Sequence, residues 1–566
     1  MKIFNRCLIL MAAVSLVVAM PPKPGQRGPA SCIVGPARAH AKNLRDYTVE
    51  TVAILVQFTD NRADTVDRRP ARFDSMFYST GIYNGQYRAG SLNDFFLENS
   101  YNTCNVTGGI AGNRWHMSSH PYSYYYDGYY MLSTGYELAS DAVALVDATV
   151  DFSQYDINND GHIDGVFVVH AGPGGEDTGN INHCWSHAIP WFSYSTNDGV
   201  IIDGATNVPE INLVTASLDT TLCCIAVMCH ELGHVIGLPD CYDGSRNTWG
   251  IGYWGLMGYG AWGAGGNTPW SPSHCEAWSK SEVNWLTITP ITSNTFGLKI
   301  LDLETHAAAY RVWRNGAVND TFFILENRQN KGFDTPLPGR GLLLWHIDPR
   351  YGSYDDILDI EEADGCDDLD NGFGYRPDPH YYWHELGDSG DPYPGDSGNV
   401  LFDTYSYPSS RDNNGTATNV IVRNIVLLGD TVQCDVLINT TGAEEQQKFD
   451  QLARTGQMSV SPNPFSGQIV IKYVVSSPAG QGHDPAQRGF SLAQKSKPEG
   501  LPYIKIFDAA GRLVKTFSLP TACSLLPATI TWDGRDDLGA RVPEGVYFIR
   551  VETNSGSVTG EAVLAR

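Results

Sequence analysis

The segment Cys229–Asp243 reads CHELGHVIGLPDCYD, with two histidines four residues apart, a glutamate beside the first and an aspartate six residues beyond the second. On a helix, His230 and His234 lie one turn apart, so their ring nitrogens can converge on one cation. Glu231 follows His230 by about 100° of helical rotation. It therefore sits beside the ion rather than among its ligands, where a general base works. Gly237 accepts the left-handed conformation that closes a helix, and Pro239 blocks continuation. The chain must double back there, which carries Asp240 towards the same ion. Two imidazoles, one carboxylate and an exchangeable water are the donor set of a four-coordinate catalytic zinc. Zinc of that kind acidifies water and polarises a carbonyl, while Glu231 takes the proton and passes it to a leaving amine. The chemistry such a set supports is amide hydrolysis by water, with no covalent enzyme intermediate.

A bare HExxH is also what an amphipathic helix with two histidines on its wet side would show. The longer pattern HExxHxxGxxD is far more restrictive. A second acid competes for the third ligand position: Glu276, in Ser273–Glu282, lies where a later helix would supply one. The spacing after the glycine turn favours Asp240.

These side chains need a helix to hold them. Leu222, Ile225, Cys229, Leu232 and Ile236 recur at intervals of three and four and form its apolar stripe, with Asp219 or Thr220 as the expected cap. Upstream, Thr51–Asp60 and Gly165–Gly172 are apolar, β-branched runs expected to be buried strands. Ser91–Tyr101 has the pattern of a capped helix with Ser91 or Asn93 at its start, and Tyr136–Val150 carries helical apolar spacing. From Ile291 to Ile438 the pattern changes to short β-runs broken by Gly, Pro and Asp.

Oxygen-rich loops are the second chemical feature. Asp156, Asn158, Asp160 and Asp164 alternate along YDINNDGHIDG, with Gly161 at the sharp turn and the carbonyl of His162 available. That is the start of a calcium loop, although Phe167 occupies the twelfth position where an EF-hand has Glu. Glu176 or Asp177 is the expected source of the missing carboxylate. Glu361–Gly372 and Gly387–Asp396 form a second acidic cluster, readable as another calcium site or as solvated loop.

The chain of 566 residues exceeds what one core usually serves, so at least two domains are expected. A net charge of −25 repels phosphate backbones and argues against nucleic acid as a partner. Lys2 and Arg6 precede an apolar run from Cys7 to Met20, too short to span a bilayer comfortably and suited to a secretory signal. No later stretch suits a transmembrane segment. The expected divisions are a signal peptide over residues 1–24, a leader or short pro-segment over 25–47, a catalytic domain over 48–438, a linker over 439–456 and a C-terminal β-sandwich over 457–566. Export permits disulfides, and one bridge is expected among Cys223, Cys224, Cys229 and Cys241.

The histidine segment and Gly252–Gly260 (GYWGLMGYG) resemble the immune inhibitor A-like family of secreted bacterial metalloproteases. GSLNDFFLENSY, DINNDGHIDGVFVVHAGPGGE and FFILENRQNKGFDTPLPGRGLLLWHID carry the same resemblance. It implies an α+β zincin-type metalloprotease domain with a β-rich downstream part, followed by the C-terminal β-sandwich. It further implies a zinc endopeptidase acting on proteins or peptides, with His230, His234 and Asp240 as ligands and Glu231 as base. Met257 matches the family's methionine turn, and the loop at 156–164 its calcium loop. The C-terminal segments SVSPNPFSGQIVIKY, YIKIFDAAGRLVKTF and TITWDGRDDLGARVPEGVYFIRVE resemble type IX secretion sorting and FlgD-like immunoglobulin-fold domains. They imply a partner in the secretion machinery and a secreted or extracellular location, with attachment at the cell surface as an extension. The alternative from another class is a surface adhesin on a protease-like scaffold that has lost activity.

Overall fold

A computed structural model describes residues 18–21, 47–84, 88–212, 222–243, 248–350, 357–370, 386–438, 458–461, 463–473, 503–518, 528–553 and 556–565. Seven strands build the first sheet: β1 (Val18–Ala19), β2 (Tyr47–Gln57), β3 (Cys104–Met117), β4 (His162–Ile163), β5 (Gly165–Pro173), β6 (His187–Ser195) and β7 (Ile201–Ile211). Their order is β1-β6-β7-β5-β2-β3, with β4 also paired to β7. The strands β3, β2, β5 and β7 run parallel, whereas β6 is antiparallel to β7 and β1 antiparallel to β6. A parallel strand covered on both faces needs no polar alternation. That is why Val166–Val169 is unbroken apolar sequence and fully interior.

Helices α1 (Pro70–Tyr78), α2 (Leu92–Asn99) and α3 (Gly135–Val146) cover this sheet. The expected cap of α2 is present in reciprocal form: Ser91 Oγ accepts from the Asp94 amide and the Asp94 carboxylate accepts from the Ser91 amide, both at 2.9 Å. A four-residue turn, α4 (Gly175–Thr178), follows β5. Helix α5 (Ile225–Val235) carries the histidines, and α6 (Ala277–Glu282) follows. The expected caps of α5, Asp219 and Thr220, lie outside the described residues. The helix starts later than the apolar stripe suggested, with Cys224 as an extended N-cap and Leu222 before it. Among the described residues no helix is long and apolar enough to cross a membrane.

Downstream, five strands form a sheet in the order β13 (Leu358–Ile360), β12 (Gly341–Ile347), β11 (Phe322–Arg328), β10 (Tyr310–Val312) and β8 (Thr289–Pro290). Four more, β14 (Leu401–Phe402), β15 (Ile421–Leu428), β16 (Thr431–Leu437) and β9 (Thr295–Ile300), form another. Phe323, Leu342, Phe402, Val422 and Val436 share one core between them. Strand β11 reaches back to the first core through Arg328, which is fully buried, pairs with Asp334 at 2.6 Å and donates to the Trp254 carbonyl at 2.7 Å. Breaking such a buried pair costs roughly 3–5 kcal/mol. Arg328 thus pins the segment that carries Met257 to a rigid strand.

The C-terminal part is all β. Strands β17 (Met458–Ser461), β18 (Ile469–Tyr473) and β21 (Ala528–Trp532) form one sheet. Strands β20 (Leu513–Ser518), β19 (Tyr503–Asp508), β22 (Gly545–Thr553) and β23 (Gly556–Leu564) form a second. Ile471, Ile506, Trp532, Ile549 and Leu564 fill the space between the two sheets, the arrangement of a sandwich.

Candidate metal centre

Helix α5 presents His230, Glu231 and His234 to the interior rather than to water; all three are at most 3 % exposed. After Ile236 the chain turns at Gly237, whose φ of +108° is closed to most other residues, and the Leu238 amide returns to the Gly233 carbonyl at 2.9 Å. This reversal brings Asp240 back to the histidines. His230 Nε2 and His234 Nε2 are 3.2 Å apart, and Asp240 Oδ1 lies 3.2 Å from each. The other acid proposed for this position is elsewhere: Glu276 caps α6, its Oε1 accepting from the Ser279 amide at 2.8 Å.

The protonation pattern tests whether a cation fits. His230 Nδ1–H donates to the Leu256 carbonyl at 3.0 Å, and His234 Nδ1–H donates to the Leu238 carbonyl at 2.8 Å. In neutral rings this leaves both Nε2 atoms as bare lone pairs. Burial lowers the His230 pKa, which favours that neutral form. Neither Asp240 oxygen accepts a hydrogen bond. Three electron-rich atoms therefore face one another in a buried pocket, which is costly without a cation. Tetrahedral zinc ligation sets neighbouring donor atoms about 3.3 Å apart. The spacing and the donor set fit zinc.

Met257 lies beneath the helix. A β-carbon on Gly233 would come within 2.7 Å of its sulfur, and its carbonyl accepts from the Cys241 amide at 2.9 Å. Its neighbour Leu256 orients His230, so one short segment supports both the ligand and the floor below it.

Glu231 is fully buried, and burial, then the charges of Asp240 and Glu176, push its carboxyl well above the ordinary range. Its Oε1 accepts from the Met20 amide at 2.8 Å, while Oε2 has no partner. Residues 18–21, expected within a signal segment, thus lie in the site itself. The Ala19 carbonyl accepts from the Tyr242 hydroxyl, Trp185 Nε1 donates to the Met20 carbonyl at 2.8 Å, and Trp262 Nε1 donates to the Pro21 carbonyl at 2.9 Å. Tyr242, Trp185 and Trp262 were not legible as site residues. Only Tyr242 carried a signal, its place two residues after Asp240.

Glu176 belongs to this neighbourhood and not to the loop at 156–164. It accepts from the Ser186 amide at 3.0 Å and the Ser186 hydroxyl at 2.6 Å. This corrects the expectation that Glu176 or Asp177 completes that loop. The nine residues of β5 intervene, which at about 3.3 Å each separates the two by roughly 30 Å. The acid that reaches the loop is Glu50 on β2, which accepts from the Asn158 amide at 2.8 Å, beside Asp164, which accepts from the Glu50 amide at 2.8 Å.

Within the loop, Asp156 accepts from the Asp160 and Gly161 amides, Asn158 from the Asp160 amide, and Asp160 from the His162 amide. His162 Nδ1 meets Asp203 at 2.6 Å. In the second acidic cluster, Glu362, Asp364 and Asp391 bring one oxygen each within 4.8 Å of the others. Burial pushes Glu362 and Asp391 well above the ordinary range. Asp391 also accepts from Trp254 Nε1 at 2.7 Å.

The expected disulfide is not formed. Cys223 and Cys229 carry free thiols, and the Cys241 thiol donates to the Pro239 carbonyl at 3.6 Å. Cys229 faces the apolar core, where burial pushes its thiol well up and holds it as a small hydrophobe.

Two parts of the chain are similar to known families. Residues 45–286 match the family model described as the immune inhibitor A peptidase M6 catalytic domain. Residues 480–557 match the FlgD Ig-like domain. The chain therefore carries a peptidase M6 domain of the immune inhibitor A type, a β-rich region after it and a FlgD-type Ig-like domain. Among individual relatives, the pre-pro-metalloprotease PrtV of Vibrio cholerae serotype O1 is 28 % identical over 268 residues, covering 39 % of this chain and 28 % of PrtV. Immune inhibitor A of Bacillus thuringiensis subsp. alesti is 26 % identical over 251 residues, covering 37 % of this chain and 35 % of that protein. The match thus spans about a third or less of each relative. A solved structure of truncated FlgD from Helicobacter pylori is 28 % identical over 11 % of this chain and 47 % of its own, with a TM-score of 0.10.

Proposed function

We propose that this chain is a secreted, zinc-dependent endopeptidase of zincin type that hydrolyses peptide bonds in proteins. The observation that carries the reading is one geometry. A buried glutamate accepts a hydrogen bond from a peptide N–H, beside three ligand atoms that lie 3.2 Å from one another. The names of the two relatives, a metalloprotease and immune inhibitor A, support the same chemistry.

His230, His234 and Asp240 would hold the ion, which supplies a Lewis acid beside the scissile carbonyl. The rest is the work of the chain. Glu231 Oε2 is the acceptor for the proton of the attacking water, and Oε1 lies on the amide nitrogen that receives it. Burial of all four residues excludes competing water.

The reading also takes residues 48–438 as the catalytic unit and 457–566 as a module that engages the secretion machinery and does no chemistry. It takes calcium as a second cofactor of the loop at 156–164, supported by the crowding of Glu50, Asp156 and Asp164, for which Glu50 is raised first by burial and then by those charges. The test of the central claim is Glu231→Gln. Hydrolysis of casein should fall by at least about 1,000-fold while bound zinc, measured by elemental analysis, stays at the wild-type level. Unchanged casein hydrolysis would refute the mechanism.

A further inference from the structure

Residues 18–21 engage the site through main-chain groups: the Ala19, Met20 and Pro21 carbonyls and the Met20 amide. Val18 and Ala19 pair with Ala188 and His187, so the segment is a strand added antiparallel to the edge of β6. The Met20 amide also reaches the Ser186 carbonyl at 3.2 Å. Ala19, Met20 and Pro21 are buried, the first two completely. These contacts are made by main-chain atoms, so they describe how an extended peptide lies here.

The bond between Ala19 and Met20 is the one that meets the chemistry. Its carbonyl oxygen accepts from Tyr242, and its nitrogen donates to Glu231. Those are the two atoms of an amide on which hydrolysis acts: charge develops on the oxygen as water adds, and the nitrogen must be protonated to leave. Glu231 Oε2, without a partner, faces the remaining role of taking the proton from water.

We infer that Ala19–Met20 of this chain is held as a scissile bond of its own site, and that Tyr242 is the catalytic residue on the carbonyl side. The inference rests on the peptidase reading above. Water adds to the Ala19 carbonyl carbon, and its protons pass by way of Glu231 to the Met20 nitrogen. The C–N bond breaks to leave an Ala19 carboxylate and a Met20 ammonium group, with no change of oxidation state. The same contacts define the substrate class by its backbone: an extended peptide added to the edge of β6, with an N–H after the cut to donate to Glu231.

The full chain, made by cell-free synthesis without membranes and kept in chelator, is given zinc. Its N-terminus is followed by mass spectrometry, with casein hydrolysis measured in the same sample. The expected result is loss of residues 1–19 at a rate independent of protein concentration, with Glu231→Gln left uncut. Tyr242→Phe should slow the cut about 100-fold. On a synthetic peptide carrying Val-Ala-Met-Pro it should lower kcat by a like factor with KM within about twofold, a split that a misfolded site would not give. Before zinc is added, the amides of residues 18–20 should exchange with solvent at least about 100-fold more slowly than in an unstructured peptide.

An intact N-terminus beside degraded casein would overturn the inference and spare the peptidase reading. So would a concentration-dependent rate, an unprotected segment or an unimpaired Tyr242→Phe. An intact N-terminus with intact casein would bring down both.

Discussion

Gly233 and Met257 are in direct apposition: the space a β-carbon would take on Gly233 is already filled by the Met257 sulfur, 2.7 Å from that position. The contact lies on the turn of helix between His230 and His234, and Leu256, beside Met257, accepts from His230. The helix can approach its floor closely only because residue 233 has no side chain.

Gly233→Ala should therefore destabilise the fold by about 1–3 kcal/mol through overpacking and weaken zinc binding with it. Met257→Ala removes the obstruction, so the double variant should be more stable than the sum of the single losses. Denaturant melts of the four proteins measure that coupling, and strict additivity would contradict the contact.

Asp240 and Glu276 separate two roles that the sequence left competing. Asp240→Ala should reduce zinc affinity by more than the roughly 10–100-fold that loss of a supporting hydrogen bond costs. Glu276→Ala removes a helix cap and should cost about 1 kcal/mol with zinc stoichiometry unchanged. Calorimetric titration of zinc into the two proteins distinguishes them, and the reverse pattern would assign the ligand to Glu276.

Glu176 gives a pH dependence with a definite sign. Burial, then the charge of Asp177, push its carboxyl up from 4.5 to about 7. A carboxyl whose folded value is raised favours the fold when neutral. Its contribution is complete below pH 4.5 and is lost as pH rises through about 7. The full shift corresponds to about 3 kcal/mol at most. Glu176→Gln stays neutral throughout, so its stability measured against pH should lose less between pH 5 and pH 8 than that of the wild type. Parallel profiles for the two proteins would remove Glu176 as the source.

The loop at 156–164 should respond to calcium through Glu50. With zinc kept in place, calcium at about 100 times its Kd should stabilise the protein by about 2.7 kcal/mol, read as a rise in Tm. Glu50→Gln should remove most of that rise. A Tm indifferent to calcium would dismiss the site.

What could be read from residues alone was local. The helix of the histidines, its glycine stop and the return of Asp240 all follow from backbone preferences within a dozen residues, as does the reciprocal cap of Ser91 and Asp94. The parallel strand Gly165–Pro173 was legible because an unbroken apolar run has few alternatives. The C-terminal strands were legible through their alternation. The start of α5 was not, because apolar spacing continues into Leu222 without helical backbone.

Contacts between segments far apart in the chain were decided only by the tertiary structure. Glu50 lies 108 residues from Asn158, and Glu176 lies across a whole strand from the loop assigned to it. Tyr242 meets Ala19 over 223 residues, and Glu231 meets Met20 over 211. Spacing fixes what one turn of backbone can bring together. Which strand lies on the edge of β6, and which carbonyl Tyr242 touches, depends on how the sheet is ordered, and no local preference encodes that order.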